Sequence, residues 1–66
     1  MNLYAVDYEA RLENGCVHFS VMLIKAFNKK EAREKTEKIV AERNDVAWVK
    51  AKKTELLRKN YWEQLD

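Results

Sequence analysis

The 66-residue sequence predicts an α+β domain in which one helix packs on an antiparallel sheet, in the order β-β-α-β, with a short helix at the C-terminus. Three observations lead there. Asn14-Gly15 separates two runs of alternating apolar residues, a hairpin signal. Asn28, followed three residues later by Glu31, opens a stretch with apolar residues at helical spacing. Val46-Ala47-Trp48-Val49-Lys50-Ala51 then returns to strand composition. No repeat or linker interrupts the chain, so residues 1–66 read as a single domain.

In the hairpin, Asn14-Gly15 suits a two-residue type I′ turn, whose central residues both take positive φ. That turn sets Leu12 against Val17, Ala10 against Phe19, Tyr8 against Val21 and Val6 against Leu23. Tyr4, Val6, Tyr8, Ala10 and Leu12 then share a core face with Val17, Phe19, Val21 and Leu23. The opposite face pairs Arg11 with His18, Glu9 with Ser20 and Asp7 with Met22. At Val21-Met22-Leu23-Ile24 both faces become apolar. A bulge that turns Ile24 and Ala26 to the core is the preferred reading. The alternatives are a central strand covered on both faces and an exposed binding patch that includes Met22 and Ile24.

In the helix, Asn28 is the N-cap, Glu31 completes a capping box, and Phe27 and Ala32 occupy the staple positions. Ala32, Thr36, Ile39, Val40 and Arg43 form the stripe facing the sheet. Asn44-Asp45 closes the helix, with Asn44 suited to a left-handed C′ position. After the third strand, Thr54 is read as the cap of a short helix carrying Leu57, Tyr61 and Leu65 at i, i+4, i+8. A fourth strand is the alternative. Tyr4, Tyr8, Phe19 and Phe27 read as core.

The net charge is +2 but unevenly spread. Residues 1–24 carry a net −2 and residues 25–66 a net +4. Lys50, Lys52, Lys53, Arg58 and Lys59 form the densest basic stretch, with Tyr61 and Trp62 beside it. Such a surface suits an acidic protein face or phosphates. Trp and Tyr flanked by basic residues are also common anchors of protein interfaces.

Catalytic equipment is sparse. Cys16 and His18 lie two apart and project to one strand face, with Arg11 opposite His18, at an exposed hairpin tip without a pocket. Asp7 and Glu9 share a face that Arg11 continues, which reads as a salt-bridged polar row. One cysteine and one histidine cannot complete a structural zinc site or an internal disulfide. The only glycine belongs to the turn, so no phosphate-binding loop is available. The expectation is no enzyme activity, no metal and no cofactor. The longest apolar run, Val21–Ile24, is far short of the roughly 20 residues that span a bilayer. With no leader-like opening, the expectation is a cytoplasmic protein without membrane contact.

Tyr4-x-Val6, followed by Ile24-Lys25-Ala26-Phe27-Asn28-Lys29-Lys30-Glu31-Ala32, resembles a pattern in very small phage early, host-takeover proteins. The coliphage inhibitor of host RNA polymerase and small anti-CRISPR proteins are similar in size and element order. The resemblance covers residues 4–51 and implies a non-enzymatic blocker of a host machine, acting in the host cytoplasm. The longer basic C-terminus departs from the polymerase inhibitor, so no contact residues carry over.

The resulting expectation is a small protein–protein interaction module, a phage-type inhibitor or regulator of a larger protein or nucleoprotein complex. Its partner surface would be Lys50, Lys52, Lys53, Arg58, Lys59, Tyr61 and Trp62, with Met22 and Ile24 as a secondary patch. Two alternatives stay open: a nucleic-acid binder using Lys50–Lys59, and a self-associating subunit, such as a homodimer.

Overall fold

The computed structural model of the protein describes residues 1–61. Strands β1 (Asn2–Leu12) and β2 (Val17–Ala26) form the hairpin, helix α1 (Lys29–Ala41) follows, and β3 (Val46–Arg58) completes the sheet. β1 is central in the order β2-β1-β3 and pairs antiparallel with both neighbours. β2 and β3 therefore run parallel to each other at the two edges, joined across one face by α1. This is the predicted α+β architecture, with β-β-α-β order and one packed helix.

The hairpin loop differs from the expected one. Leu12 N–H donates to the Cys16 carbonyl at 2.8 Å and Gly15 N–H to the Leu12 carbonyl at 3.0 Å. These bonds close a three-residue loop, Glu13-Asn14-Gly15, with Gly15 left-handed at φ 89°. Asn14 does not take the positive φ that a type I′ turn needs; Asn60 is the only non-glycine residue with one among the described residues. Instead the Asn14 side chain accepts from Cys16 N–H at 3.0 Å. Glu13 N–H reaches across to the Asp45 carbonyl at 3.0 Å. A type I turn followed by a left-handed glycine is the usual three-residue hairpin connection.

One extra loop residue shifts the register by one. Ala10 pairs with His18, Tyr8 with Ser20, Val6 with Met22 and Tyr4 with Ile24. Because the side-chain period is two, residues 17–23 of β2 turn to the face opposite the one the two-residue turn would give them. Ile24 and Ala26 thus face the helix without a bulge, as the β1–β2 ladder runs without a register shift. Phe19, Val21 and Leu23, expected in the core, point away from the helix and are exposed. His18 faces Ala10 rather than Arg11, which lies opposite Val17.

The core under the helix is built from small side chains. Tyr4, Val6, Ala26 and Ala32 are buried together, with Ile24 and Ala51 packed against them. Ala10, Thr36 and Val40 are also buried. Val6 is fully buried, a burial that contributes about 1.5–3 kcal/mol. Thr36 keeps its hydroxyl satisfied by donating to the Ala32 carbonyl at 2.9 Å. The Thr54 hydroxyl, opposite Val6, is buried without a partner among the described residues.

The helix starts as its sequence predicts. Asn28 is extended and its side chain accepts from Glu31 N–H at 2.8 Å. Glu31 in turn accepts from Phe27 N–H at 3.1 Å and pairs with Lys35 at 3.2 Å. Those two donors hold the Glu31 carboxyl below its ordinary value of 4.5, the backbone N–H having the larger effect. Phe27 remains 65% exposed, so it is not a core residue. The helix ends earlier than Asn44-Asp45: Ala41 is its last residue and Glu42, in right-handed geometry, is the C-cap. Glu42 N–H returns to the Lys38 carbonyl, so no left-handed residue is required.

β3 is the longest departure. It continues through Thr54 to Arg58, so the helix expected from Thr54 does not form there. Its pairing with β1 shifts register between Leu3 and Tyr4, Val6 and Tyr8, and Arg11 and Leu12. Such bulges explain why residues 46–58 do not alternate cleanly in sequence. Beyond the strand, Asn60 N–H donates to the Asn2 side chain at 3.1 Å, and Tyr61 N–H to the Met1 carbonyl at 2.6 Å.

Candidate functional site

The helix covers one face of the sheet, and the other is left open. On β2 that open face is a straight row: Val17 (41% exposed), Phe19 (75%), Val21 (56%) and Leu23 (63%). Beside it on β1 lie Ala5, Asp7, Glu9 and Arg11, opposite Leu23, Val21, Phe19 and Val17 in that order. On β3, Trp48 faces Arg11 and Lys50 faces Glu9. Lys52 reaches the Glu9 carboxylate at 3.1 Å. The surface thus grades across three strands, from apolar through acidic to basic and aromatic.

Two open depressions mark its relief. The larger, of about 390 Å³, is lined by Asp7, Tyr8, Phe19, Ser20, Val21 and Lys52. It combines an apolar wall with one carboxylate and one ammonium group. The smaller, of about 240 Å³, lies between Arg11 and Trp48. Trp and Arg are among the side chains that most often dominate binding energy at protein interfaces, and Phe is enriched there. A contiguous row of large exposed apolar side chains rimmed by charges is the kind of patch that marks interaction sites.

The expected basic and aromatic surface is strung along β3 rather than gathered. Lys50 lies opposite Glu9 and Arg58 opposite Leu3, roughly 20 Å apart along the neighbouring strand. Lys52 is engaged by Glu9, and Lys53 sits where the ladder bulges. Lys59 is exposed, while Tyr61 is half-buried at the Met1 end of the sheet. Trp62 lies outside the described residues. Met22 and Ile24, the expected secondary patch, are on the helix side: Ile24 packs on the core cluster and Met22 is half-buried. The one-residue register shift moved them there.

Compared with protein families, characterised proteins and solved structures, the chain matches none. Its site is therefore read from its own residues. Cys16 and His18 are both exposed near the hairpin tip. Among the described residues no group of three or more His, Cys, Asp or Glu is placed to hold a metal. No helix among them is long and apolar enough to cross a membrane.

The residues that sequence reasoning missed are Phe19, Val21 and Leu23. Their signal was present in another form. Ala10, Ala26, Ala32 and Ala51 fall where a helix must approach a sheet closely. Putting small residues under the helix leaves the large ones outside.

Proposed function

We propose that the chain is a non-enzymatic protein-binding module that acts through the open face of its sheet. The observation that carries this reading is the uninterrupted apolar row of Val17, Phe19, Val21 and Leu23, exposed beside ordered charges. Phe19, Val21 and Leu23 supply the apolar centre, Arg11 and Trp48 a second anchor, and Asp7, Glu9 and Lys52 a polar rim. An apolar centre with a charged rim is the usual anatomy of a protein interface. The partner is a protein surface carrying an apolar projection flanked by both signs of charge. In biological terms the reading is an inhibitor or regulator that occludes a surface of a larger complex, as the resemblance to small phage early proteins suggests. The engagement of Lys52 by Glu9, with Lys50 facing the same carboxylate, weighs against a phosphate-tracking groove.

The test compares the wild type with a Phe19→Ser/Leu23→Ser double variant and a helix-surface control, Arg33→Glu, as baits in a host lysate. A partner retained by wild type and control but lost by the double variant supports the reading. Equal retention by all three overturns the site. Gel shifts with DNA and RNA at low salt accompany it. A micromolar shift lost in Lys50→Gln/Lys53→Gln would favour nucleic acid instead.

A further inference from the structure

The two edges of the sheet are built differently. β3 carries three lysines, one arginine and three register shifts, and Glu37 of α1 accepts from its Ala51 N–H at 2.9 Å. Charges, bulges and covering groups are the means by which proteins prevent edge-to-edge pairing. β2 has none of these from Val17 to Ile24. That stretch, Val-His-Phe-Ser-Val-Met-Leu-Ile, holds no proline, lysine, arginine or carboxylate, and its ladder to β1 is regular.

The register shows which backbone groups the edge offers. The bond from Leu12 N–H to the Cys16 carbonyl closes the hairpin, so hydrogen-bonded pairs alternate from there: His18, Ser20, Met22 and Ile24 bond to β1. Val17, Phe19, Val21 and Leu23 turn their N–H and C=O groups outward. The exposed apolar residues of β2 thus also carry its outward-facing backbone. At the far end, Lys35 donates to the Lys25 carbonyl at 3.0 Å, which closes the edge beyond Leu23.

We propose that β2 is an assembly edge, where two copies of the chain pair antiparallel over residues 17–23 about a two-fold axis at Ser20, forming one continuous six-stranded sheet. This axis sets Val17 against Leu23 and Phe19 against Val21 of the other copy. All these pairs are apolar, and each exchanges both backbone hydrogen bonds. Ser20 meets Ser20, and His18 meets Met22, so no like charges are opposed. At each end Lys25 lies opposite the hairpin tip of the second copy, which carries Glu13 and no basic residue within residues 12–16. The axis is perpendicular to the sheet, so both helices lie on one side and both open faces on the other. The pairing uses only this chain's own edge and is independent of the partner proposed above.

The test uses purified protein. Sedimentation equilibrium from micromolar to millimolar concentration is expected to show a reversible dimer, since an edge interface lies at the small end of stable ones. Val21→Pro removes an outward N–H that β1 does not use, and each dimer loses two such bonds. Association should weaken by about tenfold or more, with the circular dichroism spectrum unchanged. A second variant reads the register. In a Cys16→Ser background, Ser20→Cys should form a disulfide-linked dimer under mild oxidation, because facing residues of a non-hydrogen-bonded pair approach to about 4.5 Å. Phe19→Cys in the same background should not, because its copies are offset along the strands. A wild type that stays monomeric at millimolar concentration overturns the proposal. So does a dimer that survives Val21→Pro, or equal cross-linking at positions 19 and 20. Packing through the open faces would leave Ser20 on the far side of each sheet and fail to link it.

Discussion

The two faces of the sheet use their apolar residues differently. Between helix and sheet lie four alanines, Ala10, Ala26, Ala32 and Ala51, with Tyr4, Val6, Ile24, Thr36 and Val40; on the open face stand Phe19, Val21, Leu23 and Trp48. Small side chains let α1 lie close to the strands, and Tyr4 is the one large aromatic among the buried residues described. The difference teaches that burial and hydrophobicity are separate design variables here. The residues that stabilise the monomer are not those with the largest apolar area.

Substitutions should respond accordingly. The largest effect is expected where the helix touches the sheet. Ala32→Leu forces bulk into a fully buried contact and should cost about 3 kcal/mol in urea unfolding. Val6→Ala opens a cavity at the fully buried centre of β1 and should cost about 2 kcal/mol by the same measurement. Thr54→Val, on the same face, should raise stability by about 1 kcal/mol, since it replaces a buried hydroxyl that lacks a partner with a methyl group. An unchanged or lowered midpoint would mean that the hydroxyl is satisfied in solution.

A smaller effect belongs to the helix start. Glu31 is held below 4.5 by Phe27 N–H and Lys35, so the folded state binds its proton more weakly than the unfolded state does. Its stabilisation is fully present above 4.5 and is lost as pH falls through the lower folded value. Thermal melts across that acid range should show a shallower decline for Glu31→Gln than for wild type. The smallest effect on stability is expected on the open face. Phe19→Ser at dilute, monomeric concentration should change the unfolding free energy by no more than about 0.5 kcal/mol. A loss of several times that would show that the row supports the monomer and would erase the contrast between the faces.

Much of this molecule was legible in its sequence, for identifiable reasons. Asn28 and Glu31 act locally, and local capping chemistry survives folding unchanged. The strand–strand–helix–strand order followed from periodicity, which tertiary packing did not override. The hairpin was legible, but its register was not. Asn14-Gly15 fits both a two-residue loop and the last two positions of a three-residue loop. The second is closed by local bonds between Leu12, Gly15 and Cys16, and Glu13 N–H adds one to the Asp45 carbonyl, far away in sequence. For the same reason Met22 and Ile24, the secondary patch, exchanged faces with Phe19, Val21 and Leu23. The extension of β3 was hidden by its bulges, which broke the alternation and let Thr54, Leu57 and Tyr61 imitate a helical spacing.

Gly15 and its two loop neighbours have one more consequence. A β-strand has only two sides, so the number of residues in the loop acts as a parity bit for everything that follows in β2. With three residues, the outward set is Val17, Phe19, Val21 and Leu23. With two, it would be His18, Ser20, Met22 and Ile24, a face with one titratable group and half its positions polar. A single-residue deletion at the loop would therefore exchange one displayed surface for another without altering any residue of either, and the identity this protein shows to its surroundings is encoded as much in a count as in a composition.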